Sequence, residues 1–195
     1  MPLERELKLA VAPGRAATVA RVLRLPRGRI LHSVYFDTPR GELRRRRIAL
    51  RLRRDGGRWL QTVKGERSAD VRNEWETPVR SRSLELARLP LAAIRRATGI
   101  DLESIAAGLA PIFETRFMRR SRIVERGKAK IEIALDRGSL RAGRRRCAIS
   151  EIELELKAGR MRALRREAGI LARRFGLEPV AESKAARGYR LAEGK

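Results

Sequence analysis

Residues 151–157 read Glu-Ile-Glu-Leu-Glu-Leu-Lys, a strict two-residue alternation. That period belongs to a β-strand, so Glu151, Glu153, Glu155 and Lys157 share one face while Ile152, Leu154 and Leu156 share the other. An ordinary half-exposed strand mixes Thr, Ser and Gln with scattered charges on its polar side; here the polar side is wholly ionised. Three carboxylates two residues apart repel one another unless cations lie between them. The first strand, Leu3–Leu9, repeats the habit with Glu4, Glu6 and Lys8 on one face.

Working outward, Ile30–Asp37, Ile48–Arg54, Arg58–Lys64 and Arg72–Val79 read as strands, with Asp55-Gly56-Gly57 as a hairpin turn. Phe113–Val124, Ala129–Asp136, a turn at Gly138, Ser139–Ala142 and Ile149–Lys157 continue the set. The apolar spacing of Arg15–Leu25, Ser83–Ala97 (interrupted at Pro90), Asp101–Leu109 and Arg162–Phe175 predicts helices, the last closed by Gly176. No internal repeat or low-complexity linker divides the chain. The pattern predicts one α+β domain over residues 1–195, with about eight mainly antiparallel strands.

Composition narrows the function classes. The 195 residues include 47 Lys or Arg and 23 Asp or Glu, a net charge of +24, and the 43% hydrophobic content is enough for a packed core. The single cysteine, Cys147, excludes an intrachain disulfide or a multi-cysteine zinc site and suits a reducing, cytoplasmic setting. The lone His32 argues against a His-based metal site or a Ser-His-Asp triad. No stretch reaches the roughly 18 apolar residues of a membrane span, so a soluble protein without membrane association is expected. A surface this basic binds nucleic acid non-specifically through its phosphates. The runs Arg44–Arg47 and Arg144–Arg146 suit that, yet no interleaved aromatic platform stands beside them.

The ionised faces carry both signs. Acids come from the first and late strands (Glu4, Glu6, Glu151, Glu153, Glu155); bases come from the third and fourth (Arg51, Arg53, Lys64) and from the strand after the helices (Arg116, Arg119). So many charged faces cannot all point outward while their apolar faces share one core, unless the sheet is large and fully open. A divalent metal would relieve the carboxylate repulsion, and oxygen-only ligands point to Mg²⁺ or Mn²⁺. Cations converging beside such a metal need a polyanion, which is the arrangement phosphoryl transfer uses.

At this point the residues resemble a known family. Glu4-x-Glu6-x-Lys8 is similar to the signature of the CYTH superfamily, also called triphosphate tunnel metalloenzymes. Tyr35-Phe36-Asp37-Thr38-Pro39, Ala49–Arg53, Lys64, Arg72-x-Glu74, Ile131–Asp136 with Gly138, Glu151–Gly159 and Ser183-Lys-Ala-Ala-Arg-Gly-Tyr189 follow in order. Together they cover nearly the whole chain, and the last run is especially similar to bacterial inorganic triphosphatases. The resemblance implies an eight-stranded antiparallel β-barrel tunnel with a charged interior and flanking helices. It implies catalytic roles for Glu4, Glu6 and Lys8. The metal would be held by Glu4 and Glu6 with Glu153 and Glu155, while Glu151 joins them directly or through water. Lys8, Arg51, Arg53, Lys64, Arg72, Arg119, Lys184 and Arg187 would bind triphosphate oxygens. Arg119 is preferred to Arg116 by its position in related sequences, and Asp136 has a supporting role.

The implied reaction is attack of water on a terminal phosphorus of inorganic triphosphate, or of a longer polyphosphate, with Mg²⁺ or Mn²⁺. The family also contains thiamine triphosphatases and class IV adenylyl cyclases; a non-catalytic polyphosphate- or RNA-binding module is the remaining alternative. No aromatic pocket for thiamine stands out, and Trp59 and Trp75 read as packing residues. Related sequences often carry a C-terminal helical CHAD domain, a candidate partner in a longer protein. Oligomeric state is open.

Overall fold

A computed structural model describes residues 3–68 and 70–194. In chain order the elements are β1 (Leu3–Ala10), α1 (Ala16–Val22), β2 (Arg29–Asp37), α2 (Glu42–Arg45), β3 (Ile48–Asp55), β4 (Arg58–Ser68) and β5 (Val71–Val79). There follow α3 (Leu91–Thr98), β6 (Ala110–Arg126), β7 (Ala129–Ala142), β8 (Arg145–Ala158), α4 (Met161–Phe175), β9 (Glu178–Pro179) and α5 (Lys184–Ala192).

Strands β5-β4-β3-β2-β6-β7-β8-β1 are hydrogen-bonded in that order, all antiparallel, and a β1–β5 pairing closes them into an eight-stranded barrel. β1 makes the closure by dividing its length. Leu3–Arg5 pair with Val71–Asn73 of β5, and Glu6–Ala10 pair with Glu151–Glu155 of β8. The two-residue β9 adds to β1 outside the ring.

Alternation then decides which side chains face the interior. The apolar faces point outward and need cover. Leu9, Ile131, Ile133, Leu135, Ile152 and Leu154 are buried beneath α1 and α4, which contribute Val19, Leu164, Leu171 and Phe175. On the other flank Leu43, Ile48, Leu50, Val63, Trp75 and Ile94 form a second outer layer beneath α2 and α3. The core therefore lies between barrel and helices, and the interior is left to the ionised faces.

Three local differences from the sequence expectations have physical causes. Residues 101–109 form turns and a short 3₁₀ segment at Ala106–Gly108 instead of a helix. Asp101 Oδ1 accepts the Glu103 and Ser104 amides, and Ile100 and Leu102 are both buried at a two-residue spacing that one helix face does not offer. Gly138 makes no turn; β7 runs straight through it. A Cβ there would lie 2.2 Å from the Arg116 carbonyl oxygen and 2.4 Å from Phe117 Cα, so the glycine permits the close approach of β6. Helix α5 was legible only as a motif. Ser183 begins it by accepting the Ala186 amide at 3.0 Å.

Candidate active site

The barrel encloses a cavity of about 1110 Å³ whose lining includes Glu4, Glu6, Lys8, Arg51, Arg53, Lys64, Arg72, Glu74, Glu76, Arg119, Glu132, Glu153, Glu155, Lys157 and Lys184. Glu4, Glu6 and Lys8 are each at most 8% exposed, although all three are ionisable. Such burial requires partners. Lys64 Nζ lies 2.6 Å from both Glu4 carboxylate oxygens and 3.3 Å from Glu74. Arg72 pairs with Glu6, which also meets Lys8 Nζ at 2.8 Å. Arg51 reaches Glu74 at 3.7 Å, Arg53 reaches Glu76 at 2.7 Å, and Lys157 reaches Glu155 and Glu132 at 2.7 and 3.1 Å.

Across the cavity, Asp136 and Glu151 oppose each other on β7 and β8, with Glu153 one same-face position further along. Each offers an oxygen within 4.8 Å of the others, the single such group of three acids among the described residues. Lys184 Nζ sits between them, 2.6 Å from Asp136, 2.5 Å from Glu151 and 2.9 Å from Glu153. Arg119 binds Asp136 at 2.6–2.8 Å and also pairs with Glu153, while Arg187 pairs with Glu151. Lys184 and Arg187 are three residues apart and so share one face of α5.

Nine carboxylates and nine cations thus interlock. Burial alone would raise the Glu153 pKa, but Lys184, Arg119 and Lys8 outweigh it and hold the carboxyl well below its ordinary 4.5. Glu155 moves upward, through burial and the charge of Glu4. Burial lowers Lys184, yet Asp136, Glu153 and Glu151 together raise it above the ordinary lysine value. Lys8 goes the other way: burial dominates and lowers it from 10.5 despite the attraction of Glu153.

The Lys8 shift has a testable sign. An ammonium with a lowered pKa is charged below that value and neutral above it, so anion affinity is greatest on the acid side and falls as pH rises through it. Binding of a multivalent anion in the cavity is expected to weaken at a pH below the 10.5 of an ordinary lysine. Lys8→Arg should remove that fall, as read by Kd against pH; an unchanged profile would show that another group sets it.

At the end of the barrel where α5 docks, the lining turns apolar. Tyr35 stacks on Phe113 at 4.4 Å and Tyr189 meets Phe113 edge-on at 5.1 Å, with Leu31, Phe117, Leu140 and Ile149 beside them. The Tyr35–Asp37 stretch has a second, structural task. Buried Asp37 accepts the Thr38, Leu43 and Arg44 amides at 2.8–3.0 Å and so fixes the short α2.

Of the thirteen residues that the sequence marks for the metal or phosphate site, eleven line the cavity; Glu151 accepts from the lining Lys184, and Arg187 pairs with Glu151. Arg119 turns inward; Arg116 is exposed on the outer wall. The three-acid group is Asp136, Glu151 and Glu153, whereas Glu4, Glu6 and Glu155 are held by the lysines and Arg72 on neighbouring positions. Glu74, Glu76, Glu132 and Lys157 also enter the site; each follows the same two-residue alternation as Arg72, Asp136 or Glu155 on its own strand. Trp75 packs in the outer core, and Trp59 lies under Arg82.

A barrel whose charged interior replaces the usual apolar filling defines the triphosphate-tunnel class, and the sequence comparison agrees. Residues 2–189 match the CYTH domain family, and the chain belongs to it. Over 202 aligned residues it is 31% identical to the inorganic triphosphatase of Haemophilus influenzae. That alignment covers 96% of this chain and 54% of the relative, so the chain spans about half the relative's length. The fold is shared with a protein of Bacillus halodurans described as an adenylate cyclase (TM-score 0.67, 16% identity, 94% and 96% of the two chains). It is shared equally with a Hippeastrum protein described as an adenylyl cyclase with a dominant triphosphatase activity (TM-score 0.66, 16% identity, 97% and 96%). Among the described residues no helix is long and apolar enough to cross a membrane.

Proposed function

We propose that this chain hydrolyses inorganic triphosphate to pyrophosphate and orthophosphate inside its tunnel, with Mg²⁺ or Mn²⁺. The observation that carries the reading is a set of buried donors without acceptors: Arg51, Arg53 and Arg187 each bury an Nε that has no hydrogen-bond partner, beside a dense array of further cations. Unmet guanidinium donors in a charged cavity suit a ligand rich in phosphate oxygens. The Haemophilus influenzae relative, an inorganic triphosphatase, supports that choice of anion.

The residues present fit a divalent metal. The donors are hard carboxylate oxygens, and the Asp136–Glu151–Glu153 group already holds a cationic Nζ at 2.5–2.9 Å. Glu151 and Glu153 with Asp136 would hold the metal on one side of the cavity; Glu4, Glu6 and Glu155 face the same space. When bound, the metal would offset phosphate charge and favour attack by water.

The chain's own groups would do the rest. Arg51, Arg53, Lys64, Arg72 and Lys8 would exchange carboxylate partners for substrate oxygens, aligning the anhydride bond. The water oxygen bonds to the terminal phosphorus, the bridging P–O bond breaks, and pyrophosphate departs with its charge met by arginine and lysine. The sole histidine, His32, lies on the outer wall paired with Glu114 at 2.9 Å and takes no part.

The test is phosphate release with Mg²⁺ or Mn²⁺, comparing tripolyphosphate, ATP and thiamine triphosphate. Tripolyphosphate should be turned over fastest, and chelation should stop the reaction. Cyclic AMP formation from ATP at a rival rate would replace the triphosphatase with a cyclase, and RNA binding without hydrolysis of any triphosphate would leave a binding module.

A further inference from the structure

The nine acids and nine cations that interlock in the tunnel cancel, so most of the chain's +24 is displayed outside it. Part of that charge is organised. Helices cover the outer faces of β1, β3, β4, β5 and β8 and one half of β7. The outer wall formed by residues 30–34 of β2, the first half of β6 and the second half of β7 has no such cover, as the exposure of Ile30 and Met118 shows.

Strand register lays out this wall. Arg54, His32, Arg116 and Ser139 lie side by side across β3, β2, β6 and β7, and in the neighbouring rows Met118 faces Arg137 and Arg141 faces Arg146. Arg54, Arg116, Arg137, Arg141 and Arg146 are all exposed, and none pairs with a carboxylate among the described residues. The wall's one acid, Glu114, is engaged by His32. Neighbouring strands lie about 4.8 Å apart, and same-face residues about 7 Å apart, so the guanidinium groups form a close grid.

We propose that this wall binds a long, flexible inorganic polyphosphate chain, at a site separate from the tunnel. A duplex is a rigid convex body and would touch a convex barrel wall along a narrow line only. A single nucleic-acid strand could follow the wall, but no aromatic side chain stands on it to stack a base. An inorganic chain has no bases to place, follows curvature, and carries phosphate closely enough spaced to meet each guanidinium. This binding goes beyond the tunnel reaction and does not require it.

Binding of labelled long-chain inorganic polyphosphate is measured by anisotropy, with EDTA present so that the chain stays intact. Arg116→Gln/Arg137→Gln/Arg141→Gln is expected to bind roughly 100-fold more weakly at about 100 mM salt, with a shallower salt dependence. Tripolyphosphate hydrolysis should be unchanged in that variant, which shows that it is folded and keeps the two readings apart. Removing equal charge from α4 (Arg162→Gln/Arg166→Gln/Arg173→Gln) should alter affinity by less than about threefold. The proposal is overturned by full affinity in the wall variant, by equal loss in the α4 variant, or by wild-type preference for single-stranded RNA or duplex DNA of matched charge.

Discussion

Glu153→Gln is expected to lower kcat/KM for tripolyphosphate by about 10³-fold while leaving the fold in place. The carboxylate stands at the meeting point of both halves of the site, touching Lys184 at 2.9 Å and Arg119, and those cations keep it ionised. Its amide would remove one negative ligand from the only three-acid group among the described residues. Structure should survive, since Lys184 keeps Asp136 and Glu151, and Arg119 keeps Asp136. Glu4→Gln probes the other side. Lys64 there retains Glu74 at 3.3 Å, so a similar loss of activity with a melting temperature within about 5 °C of the parent is expected. Calorimetric Mn²⁺ titration supplies the readout beyond turnover. Undiminished turnover and metal affinity in either variant would remove that glutamate from the metal site.

Gly188→Val should cost about 10²-fold in activity although residue 188 touches no reacting group. A Cβ at Gly188 would lie 2.1–2.4 Å from three ring atoms of Phe113. That ring cannot yield, because Tyr35 stacks on it and Tyr189 abuts its edge. Helix α5 must therefore lift, taking with it Lys184 from the acid group and Arg187 from Glu151. Limited proteolysis should then cut within residues 184–192 while the strands resist. An active variant with α5 still protected would show that the helix tolerates the change in place.

The alternation of 151–157 and of Leu3–Leu9 made most of the barrel readable, because a period of two assigns every side chain to a face without reference to neighbours. The closed ring, with ionised faces directed inward, was reached through family resemblance, and the strand pairing bears it out. What local pattern could not supply was distance. Asp136 shares Ile131–Asp136 with Glu132 among aliphatic residues, and only the β7–β8 register brings it opposite Glu151. Gly138 looked like a turn because its real cause, the backbone of β6, is remote in sequence. The helical reading of 101–109 failed for a local reason: short-range hydrogen bonds from Asp101 compete with helix formation. Glu74 and Glu76 share the alternation of Arg72, but only the β4–β5 register brings them beside Lys64 and Thr62.

The divided pairing of β1 also fixes an order of events. Within this domain β1 precedes its partner by the length of the barrel, and its second half has no partner in the ring until Glu151–Glu155 of β8 have been made. A nascent chain must carry Glu6 and Lys8 unenclosed until β8 has been made. Closing so long a loop adds only a logarithmic entropy cost. Contacts this distant in sequence nevertheless slow folding, so β1 is among the last strands of the barrel to be locked into place.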